Sequence, residues 1–177
     1  MNQVSSKELS AILEEKIDHL FPRLVEIRRH LHMNPEISNK EFETTKRINE
    51  WLKEFGIPQI PADLKTGTAA EVAGKEQGPT IALRADIDAL PIQEESNLPF
   101  RSKIDGVSHM CGHDIHTTIA LGAGIVLQEL SEILPGNVRI LFQPAEETEG
   151  GAVSIIEAGL LEGVKSIIGL HNSPDIP

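Results

Sequence analysis

An α/β fold with a largely parallel central sheet is predicted by three observations. Short apolar runs rich in β-branched residues recur at Thr80 to Ala85 (TIALRA), Val138 to Phe142 (VRILF) and Ser166 to Leu170 (SIIGL), and each reads as a buried strand. Longer Ala-, Leu- and Ile-rich stretches, Asp114 to Leu134 and Gly151 to Leu161, lie between them and are long enough for helices. Strand, helix, strand order implies parallel pairing with helices laid on the faces of the sheet.

Two helices precede that unit. Ile12, Leu13, Ile17, Leu20, Leu24, Ile27 and Leu31 recur at helical spacing, with Pro22 either kinking one helix or opening a second. Asn34-Pro35 stops this segment. Ser38 is expected to cap the next helix, with Glu41 three residues on. Phe42, Ile48, Trp51, Leu52 and Phe55 form its apolar face until Gly56 ends it. No internal repeat, low-complexity tract or interior linker interrupts the chain.

Composition sets the broad class. A chain of 177 residues suits one domain that buries its own core, and 40% hydrophobic with 24% charged residues describes a soluble globular protein. Sixteen Lys plus Arg against 27 Asp plus Glu give a formal charge of -11 without a basic patch, which argues against nucleic acid and anionic membrane as partners. The first residues lack the apolar core of a signal peptide, and no stretch approaches the ~18 continuous apolar residues of a membrane span. A single cysteine, Cys111, excludes an internal disulfide and suits a reducing cytoplasm.

The same strand order gathers the chemistry. In open α/β sheets ligands bind at the carboxyl ends of the strands, and Asp86 and Asp88 follow TIALRA, Glu146 and Glu147 follow VRILF, and His171 follows SIIGL. Cys111, His113 and Asp114 lie in the loop that opens a long helix, so His113 and His116 fall near its first turn. Bland readings exist for each: a lone Cys as a small buried hydrophobe, His171 as a satisfied core histidine, the glutamates as a solvated helix start, Asp86 and Asp88 as turn residues. The convergence of four sequence-distant polar groups on one edge favours a metal-dependent hydrolase. Asp86 and Asp88 flank apolar Ile87 and so face one side, placed to orient histidine ligands; His109, His116 and Asp114 are expected around the ligands, and no role is assigned to His19, His30 or His32.

Hydrolysis of an amide explains the need for this set. A divalent ion held by thiolate, imidazole and carboxylate lowers the pKa of its water toward ~7 and polarises the carbonyl oxygen. A carboxylate beside the ion but not bound to it takes the water's proton and returns it to the departing nitrogen. Of two adjacent glutamates, one can ligate while the other serves as base.

The residues also carry a family resemblance. LRADIDALP (Leu83 to Pro91), CGHDIHT (Cys111 to Thr117), QPAEE (Gln143 to Glu147), IGLHNSPDIP (Ile168 to Pro177) and EIRRHLHMNPEIS (Glu26 to Ser38) resemble the aminoacylase and carboxypeptidase family of metallopeptidases. The closest match is its amidohydrolase branch of N-acyl amino acid amidohydrolases and hippurate and auxin-conjugate hydrolases. The resemblance runs from about residue 20 to the end. It implies a three-layer zinc-peptidase-like catalytic domain, with Cys111, His113, Glu147 and His171 as metal ligands, Glu146 as general base and Asp88 orienting the site. It further implies two ions per site in the intact enzyme, zinc or manganese with cobalt or nickel as alternatives, small N-acyl amino acid substrates, and a homodimer for the full-length enzyme. Members of that family are roughly twice this long, so residues 1 to 177 correspond to the N-terminal part of the catalytic domain. The sheet is then incomplete at its C-terminal side, the chain ends in the Pro174 to Pro177 loop, and the lid or dimerisation domain and the returning segment with a last His ligand are absent. Two rival readings are a cysteine hydrolase with Cys111 as nucleophile and His113 or His116 as base, and an inactive metal-binding or self-associating remnant.

Overall fold

The structure, a computed structural model, describes residues 5–172; the loop expected at 174–177 lies outside the described residues. Ser5 opens the first helix, α1 (Ser6–Met33), with a capping box: its hydroxyl accepts from the Glu8 N–H, and the Glu8 carboxylate accepts from the Ser5 N–H at 2.9 Å. Pro22 lies inside this one continuous helix. The second helix, α2 (Phe42–Glu54), departs from expectation at its start, where Glu41 occupies the N-cap without a side-chain capping bond. Long-range bonds explain the change. The Ala89 N–H donates to Glu36 O at 2.8 Å, Ser38 donates its hydroxyl to Asp88, and Glu41 turns its carboxylate toward Thr66 and Ala145, so neither is left for a local cap.

The sheet has five strands in the order β1-β2-β4-β3-β5: β1 (Gln59–Ile60), β2 (Thr68–Val72), β3 (Thr80–Asp86), β4 (Asn137–Gln143) and β5 (Val164–Gly169). Its centre is parallel, as expected, with β3 between β4 and β5. The sequence reading did not assign β1 and β2, which extend the sheet antiparallel from β4. Both later helices are shorter than expected. α3 (His113–Glu129) gives way to a 3-10 turn at Ser131–Ile133, and α4 (Gly151–Glu157) ends where Gly159, at φ 71°, lets the Leu160 N–H bond back to Ile155 O.

Alternation along the strands builds three layers. Ala70, Val72, Ala85, Ile140 and Phe142 face α1, α2 and α3, whereas Ala69, Ala82 and Leu141 face Ile155 of α4 and Leu160 beyond it. A Cβ at Gly124 would collide with Ile140, so glycine there sets how closely α3 lies on β4. Among the described residues no helix is long and apolar enough to cross a membrane. Beyond the parallel strands the Ile87 N–H still donates to Gln143 O at 3.0 Å, which keeps the segments leaving β3 and β4 side by side.

Candidate metal centre

Asp88 is the hub of that edge. It is fully buried, and its Oδ2 accepts from the Ser38 hydroxyl at 2.6 Å and from the Glu147 N–H at 3.0 Å. On its other side His113 Nδ1 lies 2.9 Å from the Asp88 carbonyl and 3.2 Å from Oδ1. A ring nitrogen facing two oxygens carries the proton, so in the neutral ring His113 Nε2 is left as a bare lone pair. Burial pushes the Asp88 carboxyl up, but hydrogen bonds from His113, Ser38 and the backbone of Glu147 and Glu146 outweigh it and hold the pKa at about 2.

Gly112, left-handed at φ 85°, turns the chain between Cys111 and the start of α3, which directs both side chains to one spot. Donor atoms of Cys111, His113 and Glu147 lie within 4.8 Å of one another. Two of them, His113 Nε2 and Glu147 Oε1, are buried without a hydrogen-bond partner and stand 3.7 Å apart. Two ligands about 2.1 Å from a tetrahedral ion would be roughly 3.4 Å apart, so these orphaned atoms, with a thiol beside them, suit a divalent transition ion. Glu146 comes within 3.9 Å of the same nitrogen, yet its side chain is 40% exposed against 20% for Glu147. Adjacent in sequence, the two glutamates occupy different environments.

Electrostatics points the same way. Burial opposes a proton on His113, but Asp88, Asp86 and Glu147 more than offset it and raise the pKa. Burial first, then the carboxylates of Glu147, Glu146 and Asp86, push the Cys111 thiol up to about 11. The site therefore holds a concentration of negative charge that a divalent cation would relieve.

In a second group of possible donors, Asp86, His113 and His116, the aspartate and His116 are satisfied within the protein. His116 Nδ1 donates to Asp86 at 2.6 Å while its Nε2 accepts from the Asn172 N–H at 2.8 Å, so neither nitrogen is free. Asp86 also accepts from Arg84 at 2.6 Å; burial raises its carboxyl, and His116, His113 and Arg84 bring it below the ordinary value. His171 stands at the rim of the site, exposed, with its ring 5.6 Å from that of His116 and outside the compact Cys111, His113 and Glu147 cluster. His109 is buried with both ring nitrogens unpaired, and burial above all lowers its pKa to about 4.

Sequence reasoning missed several supporting residues. His32, given no role, is buried and bonds Asp114 at 2.8 Å and Glu94 at 3.3 Å, while Arg28 pairs with the same Asp114 oxygen. This network ties α1 to the first turn of α3. Ser38 and Glu41, read as a local cap, reach the site instead. The only signal available for them was a polar cluster just before an amphipathic helix, which spells a capping box equally well.

Known proteins similar to this chain identify its family. The model of peptidase family M20/M25/M40 matches residues 82–177. An N-acetyl-L-cysteine deacetylase of Bacillus subtilis is 51% identical over 178 aligned residues, covering 98% of this chain. An N-acyl-L-amino acid amidohydrolase of Geobacillus stearothermophilus is 41% identical, covering 90% of this chain. The chain spans 43% of the length of each of these relatives. Among solved structures, a Bacillus subtilis protein described as a dinuclear metal binding peptidase superposes with a TM-score of 0.88 at 52% identity, over 90% of this chain and 45% of its own. A family model that covers the strand-end aspartates, the Cys111 loop and both glutamates shows that this chain belongs to peptidase family M20/M25/M40.

Proposed function

We propose that residues 1–177 form the N-terminal part of the catalytic domain of a metal-dependent amidohydrolase that cleaves the amide bond of N-acyl amino acids. The observation that carries the reading is the pair of orphaned buried atoms, His113 Nε2 and Glu147 Oε1, beside Cys111 and next to a more exposed Glu146. The substrate class rests on the names of two relatives, which act on N-acetyl-L-cysteine and N-acyl-L-amino acids. Cys111, His113, Glu147 and, from the rim, His171 would hold the ion. When bound, a zinc or manganese ion, with cobalt or nickel as substitutes, acidifies water and polarises the amide carbonyl. Asp88 fixes the His113 tautomer that leaves Nε2 free to ligate. Glu146, solvent-accessible and not needed as a ligand, takes the proton of the attacking water and delivers it to the departing amine. A second ion, a lid domain, the returning part of the catalytic domain and a homodimer contact belong to the longer protein, and the free thiol suits the cytoplasm.

The cysteine-nucleophile reading is the weaker one. A thiol pushed up to about 11 is the reverse of what nucleophilic attack requires, and neither His116 nitrogen is free to act as its base. His113 Nε2 is open beside Cys111, but it shares the spot with the unpartnered Glu147 oxygen, an arrangement that suits a shared cation better than a thiol and its base. The metal reading is tested by separating the glutamates in a full-length protein that carries this sequence. Glu146→Gln should keep its metal and lose on the order of 10³-fold in turnover of N-acetyl amino acids; Glu147→Gln should lose metal as well. A fully active Glu146→Gln enzyme would sink the mechanism, and the opposite pattern would exchange the two roles.

A further inference from the structure

Both glutamates of the site hang from one strained turn. Ala145, immediately before them, sits at φ 48°, in the left-handed region that disfavours a side chain. Its neighbours pin it in place. Pro144 packs against Gly67, where a Cβ would come within 2.6 Å of the proline ring, and a Cβ at Gly151 would strike the carbonyl oxygens of Pro144 and Ala145. The remaining hold is polar and comes from the start of α2. Glu41, fully buried, accepts from the Ala145 N–H at 2.8 Å through Oε1 and from the Thr66 hydroxyl at 2.8 Å through Oε2. Thr45 braces the same corner, donating its hydroxyl to Glu41 O at 2.6 Å and accepting from the Gly67 N–H at 2.8 Å.

We propose that Glu41 is a positioning residue for the metal and base carboxylates, holding Ala145 in its left-handed conformation so that Glu146 and Glu147 face His113. The inference rests on the metal-site reading above. Without the Glu41 carboxylate the Ala145 N–H is buried and unpaired, and the backbone has reason to leave a disfavoured φ. Relaxation there turns the following peptide, which moves Glu147 away from Cys111 and His113 although no ligand has been altered.

The test is a cycle on the full-length protein that carries this sequence, titrated with cobalt(II) and followed by the thiolate-to-cobalt absorption that Cys111 supplies, with amide hydrogen exchange measured at Ala145 to Glu147. Glu41→Asp, one methylene shorter, draws the acid back from Ala145 and should weaken cobalt binding on the order of tenfold while speeding exchange at those amides. Glu41→Gln keeps an oxygen for the Ala145 N–H and should stay within about threefold of the parent. Ala145→Gly makes the turn easy without the clamp, so adding it to Glu41→Asp should restore most of the affinity. A purely structural role for Glu41 gives the same penalty with Ala or Gly at position 145, and that additivity would overturn the inference, as would parent-like binding by Glu41→Asp. If Glu41→Asp fails to fold but the double variant folds, the clamp is supported; if both unfold, it is refuted. Absence of the thiolate band in the parent chain refutes the metal site itself. The exchange arm then still decides the clamp, because unchanged protection at Ala145 in Glu41→Asp removes it.

Discussion

Asp88→Asn strikes the one residue that touches both halves of the site, and its effect can be worked out from the geometry. The carboxylate accepts from Ser38 at 2.6 Å, from the Glu147 N–H at 3.0 Å and from His113 Nδ1 at 3.2 Å. Its pKa falls from an ordinary 3.8 to about 2, which at about 1.4 kcal/mol per pKa unit ties roughly 2 kcal/mol of folding free energy to the ionised form. Because the folded-state value is the lower one, this contribution is present above the unfolded value of 3.8 and is lost as pH falls toward 2. The variant should therefore be about 2 kcal/mol less stable at pH 7, with the gap to the parent closing between pH ~4 and ~2. An asparagine that keeps its oxygen on Ser38 and Glu147 presents its NH₂ to the Nδ1–H of His113. Yet the backbone carbonyl of residue 88, at 2.9 Å, survives the change and still favours a proton on Nδ1. The loss in zinc affinity should accordingly sit near tenfold, at the low end of the range for residues that orient a metal-binding histidine. Urea unfolding of the dilute metal-free chain across pH 2 to 7 and a zinc titration measure the two parts. Equal unfolding curves at pH 7 together with unchanged zinc affinity would refute the role given to Asp88.

Two further outcomes follow from the same structure. Cys111→Ser replaces the only soft donor in the cluster with a hydroxyl that does not ionise at neutral pH, so bound zinc should drop sharply; metal content unchanged by mass spectrometry in this variant and in His113→Ala would show the ligands to be misassigned. Ile167, Ile168 and Leu170 lie about half exposed on and just after edge strand β5, and apolar surface left in water costs roughly 25 cal/mol per Å², so the 177-residue chain alone should self-associate and turn over N-acetyl amino acids negligibly. Light scattering that finds a monodisperse monomer with robust turnover would overturn that expectation.

The sequence showed most clearly what is local. The stripe of α1, strands β3 and β4, the Cys111 to His113 step before α3 and the Glu146-Glu147 pair after β4 were all legible from spacing within a few residues, and their meeting followed from the rule that ligands gather at the carboxyl ends of parallel strands. β1 and β2 were not, because a run such as Thr68 to Val72 (TAAEV) has weak strand character by itself and owes its place to pairing with β4. Helix ends shifted for a related reason. Ser38 and Glu41 have the spacing of a capping box, but partners 50 and 104 residues away took their side chains. His32 looked like any polar position on α1 until Asp114, 82 residues on, buried it.

These misses share a physical cause that bears on how the site works. Four carboxylates reach one imidazole: Asp88 at 3.2 Å, Asp86 and Glu147 at 3.7 Å and Glu146 at 3.9 Å from His113. Mutual repulsion among like charges opposes that arrangement; burial first and then these carboxylates raise the Cys111 thiol, and against burial they raise His113. Ligands alone, supplied by a short loop and a two-residue step, could not hold such a cluster together. The holding falls to residues whose bonds cross the fold: Ser38 on Asp88, Glu41 on Ala145, Arg84 and His116 on Asp86, and Arg28 with His32 on Asp114. The residues proposed as ligands are thus grouped in contiguous sequence, whereas their geometry is set by contacts between distant segments. A cation bound among them would relieve the repulsion, so metal binding at the proposed site would be coupled to folding stability through the same carboxylates.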